Sequence, residues 1–397
     1  MNFCQFLFSA TFLVALLPTF SVHAMTPIRD PKKLWEPEKA KVYRVKTARV
    51  MLADYELIRR DFPEIASYSN SKIDEWILRN AANISPEQAA QEVTNTKIET
   101  DGVLRDAYRP REYRRAHVFK ADTGGLIDAK GTGSVDPHQG NERNGLAALA
   151  DAFREYLFEK LTSRIFKFEG RFDTVGTYGV IDLGFDIKWS NGSQSRAGIV
   201  LRQAHVRFHE GKIGDRQRED PVVLPTEHQL KVELALRKYG MTAAIDVHPG
   251  LYSVTRHGDQ LNLQGAQDGS IVDYGGFRAV NHFHKPLYAT YNSDGGANVS
   301  DADILLEPNS PKYTQPDPSL KIPFGIWGNT VTGGGLDNPY VWSEELSQAI
   351  REGRADRSAA EQHFKNLIGP VETLLHEAAK VRARRGSAFT CQKAFAA

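Results

Sequence analysis

The chain has 397 residues, 41% hydrophobic and 25% charged, and its 50 Lys+Arg against 49 Asp+Glu leave a formal net charge of +1. That balance excludes a dominant electrostatic pull on nucleic acid or an anionic membrane. The composition also excludes a disordered chain, a collagen-like repeat and a cysteine-rich scaffold, and the length suits two lobes or a domain with an extension.

Residues 1–24 carry no Asp, Glu, Lys or Arg, positions 6–17 form an apolar run, and Val22-His23-Ala24 is a small-x-small ending. The run is shorter than the roughly 20 apolar residues a spanning helix needs. A cleaved secretory signal over 1–24 is therefore expected, with export to the periplasm or beyond. No later stretch reads as a stable membrane span. Cys4 falls in the leader and Cys391 near the C-terminus, so the processed chain keeps one thiol and no internal disulfide.

From residue 25 to about 54 the Pro- and Lys-rich chain reads as an arm wrapped on the rest. Two helices follow, one through Ile73, Trp76 and Ile77, the other opened by Ser85, Pro86 and Glu87. Positions 116–120 and 126–130 read as strands joined by a tight Asp122-Thr123-Gly124-Gly125 turn. Gly131-Thr132-Gly133 then leads towards a helix with Leu146, Leu149, Phe153, Leu157 and Leu161 on one stripe. Strands are expected at 165–169, 178–188 and 197–201, followed by a polar loop at 211–225. Thr226 and Gln229 form a capping box ahead of Leu230, Leu234 and Leu236, and Gly240 ends that helix. A turn-rich stretch over 257–277 precedes helices at 343–352 and 357–385, the second broken or kinked at Gly369-Pro370.

Strands with one inserted helix, then a mostly helical half, give an α+β class. The layout is that of a two-lobed phosphotransferase cleft: a helical extension over 25–100, an N-lobe over 101–220 and a C-lobe over 221–397.

Triphosphate chemistry needs a cation on the phosphates, a group that fixes that cation, oxygen ligands for Mg²⁺ and a polar group that orients the attacking hydroxyl. Lys130 ends a strand and Glu155 lies on the next helix. The stretch from His257-Gly258-Asp259 through Asn262 and Asp268-Gly269 to Asp273-Tyr274-Gly275 reads as a loop, a tight hairpin and a metal-binding turn. Asn262 and Asp273 would offer oxygens to one metal, and Asp259 sits where a hydroxyl-orienting base belongs. An ordinary β-hairpin with polar turns is the plain alternative.

These motifs resemble the kinase-like fold, and with their surroundings most resemble selenoprotein O and its bacterial relatives, the protein adenylyltransferases. That family's Lys-Gly-x-Gly is matched by Lys130-Gly131-Thr132-Gly133, and its Arg-Glu-(Phe/Tyr)-Leu helix by Arg154-Glu155-Tyr156-Leu157. Its Arg-bearing strand is matched, two residues shorter, by positions 199–207, and its Ile-Asp-Tyr-Gly-Pro-Phe by Val272-Asp273-Tyr274-Gly275-Gly276-Phe277. The resemblance spans about 150 residues and does not extend into 25–100 or beyond about 330.

The resemblance implies ATP and Mg²⁺ as cofactors and a protein hydroxyl as acceptor. Lys130, Gly131 and Gly133 would meet the phosphates, Glu155 would pair with Lys130, Arg202 and Arg207 would hold the terminal phosphates, and Asp273 would bind metal. The nucleotide in that family is inverted, so AMP rather than phosphate is transferred.

The sequence departs from the pattern in two places. Leu263 and Gln264 stand where the family has an Asp-Asn pair, and the Gly-Asp-Gly-Arg phosphate loop has no counterpart, only Arg111, Arg114 and Arg115 nearby. His257-Gly258-Asp259 also opens the catalytic loop of aminoglycoside phosphotransferases, so phosphoryl transfer stays open, as does an inactive binding module. His282 and His284 form an incomplete metal pair, and Arg382, Arg384 and Arg385 suit a helix C-terminus better than nucleic acid.

Overall fold

The computed structural model describes residues 25–90, 98–110, 115–133, 144–189, 192–207, 264–275, 277–279 and 339–394, with separate positions between 228 and 242. The expected leader, Asp259, Asn262, His282 and His284 lie outside the described residues.

The fold is α+β, built on a nine-stranded antiparallel sheet. Its strands are β1 (Glu38–Val45), β2 (Arg49–Ala53), β3 (Asn83–Ile84), β4 (Thr100–Arg109), β5 (Ala116–Lys120), β6 (Leu126–Lys130), β7 (Ala147–Ala148), β8 (Thr177–Lys188) and β9 (Gln194–Gln203). Spatially they run β2-β8-β9-β6-β5-β4-β1-β3, with β7 on β9.

The pleat sends alternate residues to opposite faces, and both faces are covered. Ile181, Leu183, Ile199 and Leu201 pack beneath α1 (Tyr55–Asp61) and α2 (Asn70–Ala81), against Ile58, Phe62, Ile73, Trp76 and Ile77. Val180 and Val200 face the other way, onto α4 (Leu149–Glu169). Behind α4 lie α5 (Pro339–Arg351) and α6 (Arg357–Ala394), which contribute Trp342, Leu346, Leu367, Val371 and Leu374 to the same core. Short α3 (Pro86–Ala90) is opened by Ser85, whose hydroxyl accepts from Gln88 N while Gln88 returns a bond to Ser85 N. That is the capping-box exchange.

Three expectations are corrected. The segment read as a wrapping arm forms β1 and β2, which pair with β4 and β8. Its Lys and Pro residues mask an apolar set (Val42, Val45, Val50, Met51, Leu52) that the sheet buries. Positions 165–169 are not a strand but the last turns of α4, which ends on Gly170 at φ 64°. Ile165 and Phe166 continue the stripe of Leu157 and Leu161 into the core, and tertiary burial overrides their β propensity. Gly369-Pro370 does not divide the last helix, which runs unbroken from Arg357 to Ala394. Leu367, Ile368, Val371 and Leu374 are anchored in one core on both sides of the proline, and Thr373 Oγ1 donates to the Gly369 carbonyl. Among the described residues no helix is long and apolar enough to cross a membrane.

Candidate active site

Lys130 is the last residue of β6, held between β5 and β9 by the registers Lys130↔Ala116 and Lys130↔Val200. Gly131 follows at φ 107°, and a Cβ there would meet the Gly198 carbonyl oxygen at 2.6 Å. Only glycine fits this turn, which drops the chain off the strand as the lysine side chain projects. The amides of Gly131, Thr132 and Gly133 all converge on the Arg115 carbonyl, at 2.7, 3.2 and 3.1 Å. In this structure the glycine loop after β6 spends its donors on the residue that leads into the neighbouring strand β5; it shapes the site rather than presenting a free cradle.

Glu155 sits in the second turn of α4, with Leu149 and Phe153 of the same helix in the core. Arg154 beside it donates to Ser343 Oγ at 2.8 Å and to Glu344 at 3.0 Å, tying α4 to α5. Glu155 thus reaches the strand layer from a helix clamped on its other side. Its Oε1 accepts from Lys130 Nζ.

Asp273 approaches from 143 residues further along the chain and accepts from the same ammonium at 2.9 Å. Its segment is fixed by Ile271 N to the Asp173 carbonyl, Val272 N to the Gln264 carbonyl, and buried Tyr274 and Phe277. Asp273 itself adopts φ 66°, a left-handed conformation that Asp tolerates better than most residues but that is uncommon outside turns and functional sites. The Asp268-Gly269 turn expected from the sequence is present, with Ser270 N donating to Asp268.

The electrostatics follow from burial and charge order. Burial drives Glu155 above the ordinary carboxylate range, against the pull of Lys130 and with the repulsion of Asp273 adding to it. Burial also opposes the charge on Asp273, but Lys130 and Arg207, with Arg202 behind them, outweigh it and hold that carboxyl well below its usual range. The side chain of Asp273 is 25% exposed, against 8% for Lys130 and 4% for Glu155, so the ionised aspartate is the member that faces outward.

Arg202 is wholly buried beside Asp128, and Arg207 donates from Nη1 to Gln264 Oε1. Gln264 is therefore engaged as an arginine partner. Asp128 and the neighbouring His205, 3.7 Å apart, are site residues that sequence reasoning missed. The signal for Asp128 was its place two residues before Lys130 on one strand, hence on the same face.

The sequence-predicted residues Lys130, Glu155 and Asp273 come together, and Arg202 and Arg207 join them. Gly131 and Gly133 lie at the edge. Among the described residues no group of three or more His, Cys, Asp and Glu gathers as a metal site. A cavity of about 540 Å³ lies elsewhere, along the C-terminal half of α4, lined by Asp54, Arg60, Glu159, Lys160, Asp173 and Gln203, and it contains none of the Lys130 group. Compared with known proteins, the chain matches no family model, and no curated protein matches it significantly.

Proposed function

We propose that this chain is an exported, kinase-like nucleotidyltransferase that uses ATP and Mg²⁺ to move AMP onto a protein Ser, Thr or Tyr hydroxyl. One observation carries the reading: a strand lysine, a helix glutamate and a distant, outward-facing aspartate meet at a single ammonium. A solvated lysine and a plain hairpin have no reason to converge in that way.

The residues fit the cofactor. Mg²⁺ bound with a nucleotide needs only one or two protein carboxylates, the phosphates supplying other ligands. Asp273 is ionised and partly exposed, and Asn262 is the second candidate ligand. Bound magnesium supplies charge neutralisation on the phosphates. Lys130 binds phosphate oxygens, Glu155 keeps the ammonium aimed, and Asp259 orients the acceptor hydroxyl. The hydroxyl oxygen forms a bond to the α-phosphorus, pyrophosphate leaves, and Asp259 receives the proton. Positioning and charge neutralisation supply most of the rate. The two-lobed arrangement and the leader belong to this proposal too, the latter to be checked by N-terminal sequencing of the exported chain.

The deciding experiment incubates the purified protein and acceptor candidates with ATP labelled separately at the α- and γ-phosphates. Retention of the α-label on protein is expected. Retention of the γ-label instead means a kinase, the reading that the His257-Gly258-Asp259 order leaves open. No transfer with either label, and no heat on ATP·Mg²⁺ titration, leaves a binding module.

A further inference from the structure

The fold treats Arg202 and Arg207 differently. Arg202 lies directly opposite Asp128 in the β6–β9 register, and both side chains are 0% exposed. Arg202 Nε and Nη2 donate to the same Asp128 oxygen, at 3.2 and 2.9 Å. Two donors on one carboxylate oxygen fix the guanidinium plane. The remaining nitrogen, Nη1, lies 3.8 Å from Glu155 Oε2, and neither of these atoms has a hydrogen-bond partner among the described residues. Arg207 keeps 8% exposure, is joined to the hairpin through the Arg207↔Ala266 bridge, and acts electrostatically on Asp273.

We infer that Asp128 positions Arg202 as a second cation for Glu155, so that Arg202 works through the Lys130–Glu155 pair, and that Arg207 is the guanidinium that meets the terminal phosphates. Lys130 holds Glu155 and Asp273 at once. When its ammonium turns to a phosphate, Glu155 would be left as a buried, uncompensated charge, a costly state. Arg202 Nη1 needs to close by only about 1 Å to reach hydrogen-bond range of Glu155, and it can do so without releasing Asp128. To reach a ligand instead, Arg202 would have to break two charge-assisted bonds and orphan Asp128. Arg202 is thus a positioning residue, held by another one, Asp128.

The phosphate half of this inference rests on the nucleotide reading; the positioning half does not, and the test has an arm for each. Without nucleotide, urea midpoints are measured for wild type, Glu155→Gln, Asp128→Leu/Arg202→Met, and the triple variant. The pair is replaced together so that no buried charge is orphaned. Glu155→Gln is expected to shift the midpoint at least twice as far in the presence of the pair as in its absence; equal shifts overturn the positioning role. Should the paired replacement fail to fold, Arg202→Lys, which keeps the charge and loses the fork, enters the same cycle. In the second arm, Mg²⁺ and inorganic triphosphate are titrated by calorimetry, and label transfer from ATP is followed in parallel. Arg207→Gln is expected to weaken triphosphate binding tenfold or more. Asp128→Leu/Arg202→Met, or Arg202→Lys in its place, is expected to weaken it less than threefold while slowing transfer tenfold or more. Equal losses of affinity at the two arginines overturn the assignment. A wild type that binds neither triphosphate nor ATP contradicts the nucleotide reading, and the urea cycle still decides what Arg202 does.

Discussion

Lys130 is held between two carboxylates of opposite tendency, Glu155 pushed up by burial and Asp273 held down by cations. Replacing Asp273 by Asn keeps the shape of the side chain and removes the charge that faces outward. Transfer is expected to fall by about 10² or more, the loss typical when one preorganised charged group is removed from a reaction centre, and the urea midpoint is expected to fall as well, because the folded state stabilises the ionised carboxylate through Lys130 and Arg207. An unchanged transfer rate would remove Asp273 from the site. Gly131→Ala places a methyl at 2.6 Å from the Gly198 carbonyl at a φ that alanine rarely adopts. A loss of stability of about 2–3 kcal/mol is expected from backbone strain and a sub-van der Waals contact, read by denaturant titration. Acid stability belongs at this scale too. Burial depresses His117 and His205 to about 4, whereas the unfolded chain takes up those protons near pH 6.5. The unfolded state therefore binds more protons between those values, and stability falls as pH drops through that window, by up to about 2 kcal/mol per histidine between pH 6.5 and 5. His117→Gln should flatten that slope by the share this histidine contributes, up to about 2 kcal/mol over the interval, in urea titrations at the two pH values; an unchanged slope means that the histidine is not buried neutral.

At the scale of elements, α4 and α6 show where the sequence was readable and where it was not. The stripe Leu149, Phe153, Leu157 and Leu161 announced α4 by its helical period, and Thr-Gly-Gly after Asp122 announced the β5–β6 turn by its turn chemistry, because both signals are local. The end of α4 was hidden because Ile165, Phe166 and Phe168 carry strand-like propensity, and only the core behind them decides for helix. Gly170 closes the helix at φ 64° with open space around its Cα. Gly170→Ala is therefore expected to cost about 1 kcal/mol through conformation alone, measured as a lower urea midpoint. Pro370 read as a breaker, but the buried residues on both sides keep α6 continuous. Pro370→Ala restores a backbone donor inside a helix, where proline costs about 3 kcal/mol relative to alanine. The variant should melt higher, and a lower melting temperature would mean that the proline stabilises the local geometry of α6.

Across the whole molecule, one sheet does the positioning. The register that sets Lys130 opposite Val200 also sets Asp128 opposite Arg202, and α4, pressed on the sheet by α5 and α6, brings Glu155 to the same point. Spacing along the chain identified Lys130, Glu155 and Asp273 from residue types and motif order. It could not show that Arg202 is sealed behind a partner, since cross-strand register is a property of the sheet and not of either strand. Nor could it place β1 and β2, whose buried face is concealed by charged residues within the strands and by the prolines that precede them. The central claim, that this assembly holds a magnesium-bound triphosphate, is tested most directly by calorimetric titration of ATP and Mg²⁺ into wild type, Lys130→Met and Asp273→Asn. Magnesium-dependent heat is expected in wild type, and its loss in both variants; equal heats in all three, or none in wild type, would mean that Lys130 and Asp273 do not hold a magnesium-bound triphosphate.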